Sequence, residues 1–180
     1  MRTGPGRDPM PAGYERLTEL DGVLARASEL SVRTMIFDVE PLVAWWDSGQ
    51  ESLDRGVATI VGMLDQVLQV RVVVFATNSA RRPSAIPSVP GVRVTYLASA
   101  GKPLRTAPYR ALPRPGAVIG DQVPTDGLLA PRLGYTFLHW SPRLTDVPLG
   151  PRLMNVLGRL AQPLFFSRAA PPGEQRPGPS

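Results

Sequence analysis

The chain has 180 residues, of which 43% are hydrophobic and 19% are charged, and this composition is typical of one ordinary globular domain. The sequence contains no cysteine and one histidine, His139, which excludes disulfide scaffolds, thiolate metal sites and multi-histidine metal sites. The net charge is +5, but the arginines are scattered and only Arg81 and Arg82 are adjacent, so we expect no nucleic-acid partner.

Both ends of the chain are predicted to be disordered tails. Residues 1–12 and 169–180 are rich in proline and glycine, and they contain too few apolar residues to offset the entropy of ordering. A single domain is therefore expected over residues 13–168. No stretch reaches the roughly 18 apolar residues that span a bilayer, and the amino terminus carries no apolar core typical of a signal peptide. We therefore expect a cytoplasmic location.

The first half of the domain alternates between helix and strand. Residues 13–30 carry leucines at helical spacing and predict an amphipathic helix, which ends just before a strand at residues 32–37. Helical periodicity returns at residues 51–68. The run VRVVVFA at residues 70–76 is the most β-prone in the chain and predicts a central parallel strand buried on both faces.

The second half continues the alternation with shorter segments. Three more strands are predicted, at residues 92–97, 117–120 and 135–139. A short helix is expected after Lys102. Another short helix is predicted at residues 125–133, begun by the N-cap-like pair Thr125 and Asp126.

The closing segment, residues 151–166, is predicted to be an amphipathic helix. It fits two roles: packing on the sheet, or peripheral contact with an anionic membrane at its cytoplasmic face. Because strands and helices alternate along the domain, we predict an α/β fold: a three-layer α/β/α, Rossmann-like core with a mostly parallel sheet. The connections between the predicted elements are too short for a large cap domain.

Polar residues follow the predicted strands at the points where each strand ends. They are Asp38 and Glu40, Thr77 and Asn78, Lys102, Asp121 and Asp126. Because ligands bind at the carboxyl ends of the strands in open α/β sheets, we expect these side chains to form one site. Carboxylate oxygens without histidine or cysteine suit Mg²⁺ together with a substrate phosphate. Lys102 is also the only lysine in a chain otherwise rich in arginine.

Four segments carry a resemblance to a known family: FDVEPLVAWWD at residues 37–47, VVVFATNS at 72–79, GKP around Lys102, and VIGDQVPTDGLLAPRLGYTFLHW at 118–140. Their order and spacing are similar to the haloacid dehalogenase (HAD) superfamily of aspartyl phosphotransferases, and within it to the YqeG-like, class IIIA phosphatases. The most specific part is GDQ-x-x-TD, which begins at Gly120. The resemblance covers about residues 30–165 and implies a HAD-type core.

The resemblance implies roles in catalysis and substrate binding. Asp38 corresponds to the nucleophile that forms an aspartyl-phosphate, and Glu40 corresponds to the general acid and base. Thr77 and Asn78 would contact the substrate, with the Thr77 hydroxyl hydrogen bonded to a phosphoryl oxygen. Lys102 would bind the phosphoryl group and neutralise charge in the transition state.

The resemblance also implies a Mg²⁺ cofactor. Asp38, the backbone carbonyl of Glu40 and Asp121 would hold the ion. Asp126 would support these ligands from the side away from the substrate.

The first motif departs from the family pattern Asp-x-Asp-x-Thr. Glu40 keeps the carboxyl group but adds one methylene, and Leu42 replaces a residue that carries a hydroxyl. Two functions therefore stay open at this point. One is a Mg²⁺-dependent phosphatase of phosphate monoesters, and the other is a catalytically weakened HAD-fold protein that binds a phosphorylated ligand or a protein partner.

An uncapped site would admit bulky substrates, so the expected partner is a phosphorylated small molecule or a lipid head group. Characterised members of the branch include phosphatidylglycerophosphate phosphatases, and the resemblance makes that lipid a candidate substrate. Trp45 and Trp46 are interpreted as loop or core aromatics, or as residues that line the substrate site. His139 is interpreted as a packing residue at the end of a strand.

Overall fold

The structure, a computed structural model, describes residues 13–141. The strands are β1 (Tyr14–Leu17), β2 (Thr34–Asp38), β3 (Val72–Ala76), β4 (Arg93–Leu97), β5 (Gly116–Gly120) and β6 (Thr136–Trp140). The helices are α1 (Leu20–Glu29), α2 (Gln50–Gly62) and α3 (Leu128–Leu133). Single helical turns lie at Leu64–Gln66, Ala107–Tyr109 and Val123–Gly127. The predicted tails and the predicted helix at residues 151–166 lie outside the described residues.

The six strands form one parallel sheet in the order β1-β6-β5-β2-β3-β4. β2 lies inside the sheet and pairs with β3, from Thr34 opposite Val72 to Asp38 opposite Ala76. The chain builds outward from β2 to β4 and then crosses to β5 on the other side of β2, which creates a topological switch point. The predicted Rossmann-like core with a parallel sheet is confirmed, and residues 13–141 contain no large cap.

Helices cover both faces of the sheet. Along β2, Met35 and Phe37 belong to the core layer that includes α1 and α2, whereas Ile36 belongs to the layer that includes α3. Successive side chains of a strand point to opposite faces, so the fully buried run of β2 follows from a sheet covered on both sides. The predicted three-layer architecture is confirmed.

The predicted helix at residues 13–30 is wrong over its first residues. Tyr14–Leu17 forms the edge strand β1, which pairs with β6, and α1 begins only at Leu20. Pairing supplies hydrogen-bond partners to the backbone of β1, and the Tyr14 ring packs 5.8 Å from the Phe137 ring. Tertiary pairing therefore outweighs the helical leucine spacing at this end of the domain.

The segment after β5 also differs from the predicted helix at residues 125–133. A π-helical turn at Val123–Gly127 comes first, and α3 covers only Leu128–Leu133. No side chain caps the start of either element, so the predicted N-cap role of Thr125 and Asp126 is wrong. The turn instead carries the Asp126 side chain into the interior, where it is fully buried.

The other predicted strands lie within about two residues of β2 to β6. The helix predicted at residues 51–68 ends earlier, because α2 stops at Gly62 and a separate single turn follows. Among residues 13–141, no helix has the length and apolar character needed to cross a membrane.

Candidate active site

A pocket of about 190 Å³ opens at the carboxyl edge of the sheet, where β2 and β3 end. Its lining includes five of the predicted site residues: Asp38, Glu40, Thr77, Asn78 and Lys102. The other two, Asp121 and Asp126, each place a carboxylate oxygen within 4.8 Å of one from Asp38. The structure therefore brings all seven of these polar side chains to one place.

Lys102 is a buried cation between two carboxylates. Its Nζ lies 2.7 Å from Asp38 Oδ1 and 2.6 Å from Asp126 Oδ1, and 2% of its side chain is exposed. Burial alone would lower the pKa of Lys102, but the negative charges of Asp126 and Asp38 outweigh burial and raise it above its usual value. Lys102 therefore carries a fixed positive charge at the point where β2 ends.

Asp38, the last residue of β2, is held by two donors on one oxygen. Asp38 Oδ1 accepts the backbone N–H of Val39 at 2.8 Å, in addition to the Lys102 ammonium. Burial raises the pKa of Asp38 well above its ordinary value, the charge of Asp126 adds to this effect, and Lys102 opposes it. The carboxyl group is thus oriented beside the pocket, in surroundings that favour an added positive charge.

Gly120 leaves the space that Asp126 occupies. A Cβ atom at Gly120 would overlap the Asp126 carboxyl group. β5 ends at this glycine and the π-helical turn folds back over it, so the carboxyl group lies directly against main chain. A larger residue at this position would move Asp126 away from Lys102.

Three buried carboxylates, Asp38, Asp121 and Asp126, form a cluster that could hold a metal ion. The ionised cluster carries three negative charges, and Lys102 offsets only one of them. Buried carboxylates in such excess are stabilised by a bound cation, and an all-oxygen donor set suits Mg²⁺. The residues present therefore fit the Mg²⁺ that the family resemblance implies. The contribution of the Glu40 backbone carbonyl stays a prediction.

The Glu40 carboxylate is held by side chains from the loop after β3. Thr77 Oγ1 donates to Glu40 Oε2 at 2.6 Å, and Ser79 Oγ donates to Glu40 Oε1 at 3.2 Å. The guanidinium of Arg81 lies 3.7 Å from the same Oε1. The Thr77 hydroxyl is therefore hydrogen bonded to Glu40, whereas the family resemblance assigns this hydroxyl to a phosphoryl oxygen of the substrate.

Asn78 joins the two loops that carry Thr77 and Lys102. Its Nδ2 donates to the backbone carbonyl of Lys102 at 3.0 Å, and its Oδ1 accepts the backbone N–H of Lys102 at 2.8 Å. This pair of hydrogen bonds fixes the main chain of Lys102 relative to β3. Asn78 also lines the pocket, and its predicted contact with a substrate stays a prediction.

His139 lies beside the turn that carries Asp121. Its Nε2 is 3.1 Å from the backbone oxygen of Asp121, and its Nδ1 is 2.8 Å from the Tyr14 hydroxyl. The ring is buried at the end of β6 and connects β1, β6 and the segment after β5. These contacts agree with the interpretation of His139 as a packing residue.

Four further residues line the pocket and were not predicted from the sequence as site residues: Ser79, Arg81, Gln122 and Thr125. Two of them, Ser79 and Arg81, lie close to Thr77 in the loop after β3. The other two lie inside the GDQ-x-x-TD segment. In both segments, neighbouring residues had already been predicted from the sequence as site residues. Trp46, one of the two tryptophans considered for a lining role, does line the pocket.

Comparison of the chain with protein-family models, curated proteins and solved structures found no match. The functional assignment therefore depends on the geometry and chemistry of the residues described above.

Proposed function

We propose that this protein is a Mg²⁺-dependent phosphomonoesterase that uses Asp38 as its nucleophile. The observation that carries the proposal is the buried contact of Lys102 with both Asp38 and Asp126, at the carboxyl end of β2 in an open pocket. A carboxylate held beside a fixed cation suits attack on a phosphoryl group, because the cation offsets the negative charge that collects in the transition state.

In the first step, a carboxylate oxygen of Asp38 forms a bond to phosphorus. The bond from phosphorus to the ester oxygen breaks, and its electron pair stays on the leaving oxygen. Glu40, in its protonated form, donates its proton to that oxygen and becomes a carboxylate. Lys102 binds a phosphoryl oxygen and offsets the charge during the transfer. The products of this step are the alcohol and an aspartyl-phosphate on Asp38.

In the second step, the Glu40 carboxylate takes a proton from water, and the water oxygen forms a bond to phosphorus. The bond from phosphorus to Asp38 breaks, which returns the Asp38 carboxylate and releases inorganic phosphate. Glu40 is again protonated and the cycle closes. In both steps, the Glu40 carboxyl group must give up its hydrogen bond to Thr77 and come within reach of the phosphoryl group at Asp38.

Asp38, Asp121 and the backbone carbonyl of Glu40 would hold the Mg²⁺ ion, and Asp126, the third carboxylate of the cluster, would support them. A bound Mg²⁺ supplies positive charge that reduces the repulsion between the Asp38 carboxylate and the phosphate dianion. Carboxylate and carbonyl oxygens are the ligands that this ion prefers.

A second candidate function is binding of a phosphorylated ligand without turnover. It is favoured by the hydrogen bond from Thr77 Oγ1 to Glu40 Oε2, since a carboxylate bound there competes with the phosphoryl oxygen for the hydroxyl. In this alternative, Glu40 acts as an internal anion that a ligand displaces, and no proton reaches a leaving group.

Phosphate release distinguishes the two functions. The substrates are an aryl phosphate and phosphatidylglycerophosphate, each with and without Mg²⁺, and the proteins are the wild type, Asp38→Asn and Glu40→Gln. Release that depends on Mg²⁺ and is lost in Asp38→Asn supports the phosphatase. Absence of release from the wild type with both substrates, together with binding of inorganic phosphate, supports the binding protein.

A further inference from the structure

One aromatic residue lines the pocket within residues 13–141. Among the described residues, Trp46 is the aromatic member of the lining, which also includes the polar Gln122 and Thr125. The Trp45 ring packs against it with ring centroids 5.4 Å apart and planes inclined by 44°. Since no cap covers the pocket within residues 13–141, the group that carries the phosphate would lie against these residues or in water.

Arg81 fixes the loop that carries this tryptophan. Its Nη1 donates to the backbone carbonyls of Trp45 and Trp46, at 2.7 and 3.4 Å. Its Nη2 donates to the backbone carbonyl of Ser48 at 2.7 Å and to the Ser48 hydroxyl at 3.2 Å. A guanidinium offers several donors in a rigid planar arrangement, so one side chain holds three neighbouring carbonyls at fixed spacing.

The same guanidinium also approaches the acid of the site. Arg81 Nη1 lies 3.7 Å from Glu40 Oε1, so one charged group contacts both the tryptophan loop and the Glu40 carboxylate. About 23% of the Arg81 side chain is exposed, which leaves most of it packed between these partners. The backbone position of Trp46 is therefore set by a side chain from the loop after β3.

We propose that Trp46, positioned by Arg81, determines specificity at this pocket and selects phosphorylated ligands in which the phosphate is attached to a flat ring. The inference deepens the proposed function, because it takes the phosphoryl group to lie at Thr77 and Lys102. The flat face of an indole packs well against another ring, and such contacts add attraction beyond the burial of apolar area. A short acyclic group would leave the indole face in contact with water and gain less.

The test compares two unreactive anions, phenylphosphonate and methylphosphonate, by calorimetric titration of the full chain in the presence of MgCl₂. We expect the wild type to bind phenylphosphonate about tenfold more tightly than methylphosphonate, which is the ratio that a stacked ring supplies. Trp46→Phe keeps a ring and keeps the preference. Trp46→Leu loses the ring and reduces the preference to less than about twofold.

Two arginine variants test the positioning role. Arg81→Lys keeps the charge but cannot hold three carbonyls, so it also reduces the preference to less than about twofold. The matched control is Arg82→Lys, at the adjacent exposed arginine, and it keeps the wild-type preference. Circular dichroism of each variant checks that the fold is intact.

The inference is overturned by equal affinities in the wild type, by a preference that survives in Trp46→Leu, or by failure of either phosphonate to bind the wild type. An unchanged preference in Arg81→Lys removes the positioning role. A ring preference without phosphate release from any ester leaves the inference standing and refutes turnover. Phosphate release without a ring preference refutes the inference and leaves the proposed function standing.

Discussion

Replacing Lys102 with methionine isolates the electrostatic contribution of the buried cation. Methionine has a similar length and no charge, so the variant keeps the packing and removes the contacts at 2.7 Å to Asp38 and 2.6 Å to Asp126. Removing one partner of a buried ion pair leaves uncompensated charge, which typically costs about 3–5 kcal/mol of the free energy of unfolding. A domain is stable by only about 5–15 kcal/mol, so we expect a loss of at least about a fifth of its stability.

The measurement is urea unfolding of the wild type and Lys102→Met, followed by circular dichroism at neutral pH without Mg²⁺. The expected result is a lower midpoint with an unchanged slope. The matched control is Arg105→Met, which removes an exposed positive charge from the same loop and is expected to change stability by less than about 0.5 kcal/mol. Adding Asp126→Asn to Lys102→Met should recover part of the loss, because one unpaired carboxylate is then gone.

A loss below about 1 kcal/mol in Lys102→Met would refute this reasoning, since a change of that size is ordinary for any substitution. It would mean that the carboxylates around Lys102 are stable without its charge. The case for a charged, preorganised site would then fail.

Three further predictions concern the same region. Gly120→Ala should lower stability by about 1–3 kcal/mol because the added methyl group displaces Asp126, whereas Gly62→Ala, with open space around it, should not destabilise, and thermal unfolding of both variants checks this. Mg²⁺ at a hundred times its dissociation constant should add about 2.7 kcal/mol to the free energy of unfolding of the wild type and so raise its thermal midpoint, and Asp121→Asn should abolish the rise. Burial raises the pKa of Tyr109 from 10.0 to about 12, and that of Tyr96 to about 12 as well, so an ultraviolet titration should show a tyrosine step near that pH whose amplitude is smaller in Tyr109→Phe. Because the unfolded tyrosine ionises first, the contribution of Tyr109 to stability is complete below pH 10 and is lost as the pH rises toward 12.

Local sequence patterns predicted most of the sheet. The β-branched run of β3 and the apolar run of β2 are bounded by polar residues, and both strands lie close to their predicted positions. β1 was missed because its four residues, Tyr14–Leu17, extend a leucine spacing that a helix also satisfies. The partner that decides between helix and strand is β6, more than a hundred residues away in the sequence, and no local pattern contains that information.

The positions of the site residues followed from fold class alone, because parallel strands end at one edge of the sheet. The contacts between these residues could not be predicted in this way. The sequence contains no sign that Glu40 reaches Thr77, since this depends on how one extra methylene is accommodated. The role of Arg81 could not be predicted from the sequence either, because Arg81 donates to backbone carbonyls, which every residue possesses.

The aspartyl-phosphate itself is the most direct test of the account. Glu40→Gln cannot activate water in the second step, so it should accumulate the intermediate when mixed with an aryl phosphate and Mg²⁺. Acid quenching and peptide mass spectrometry should then find one phosphoryl group on the peptide that contains Asp38, and none in Asp38→Asn. Phosphate release by the wild type that persists in Asp38→Asn, with no phosphoryl group on Asp38 in any variant, would contradict the account.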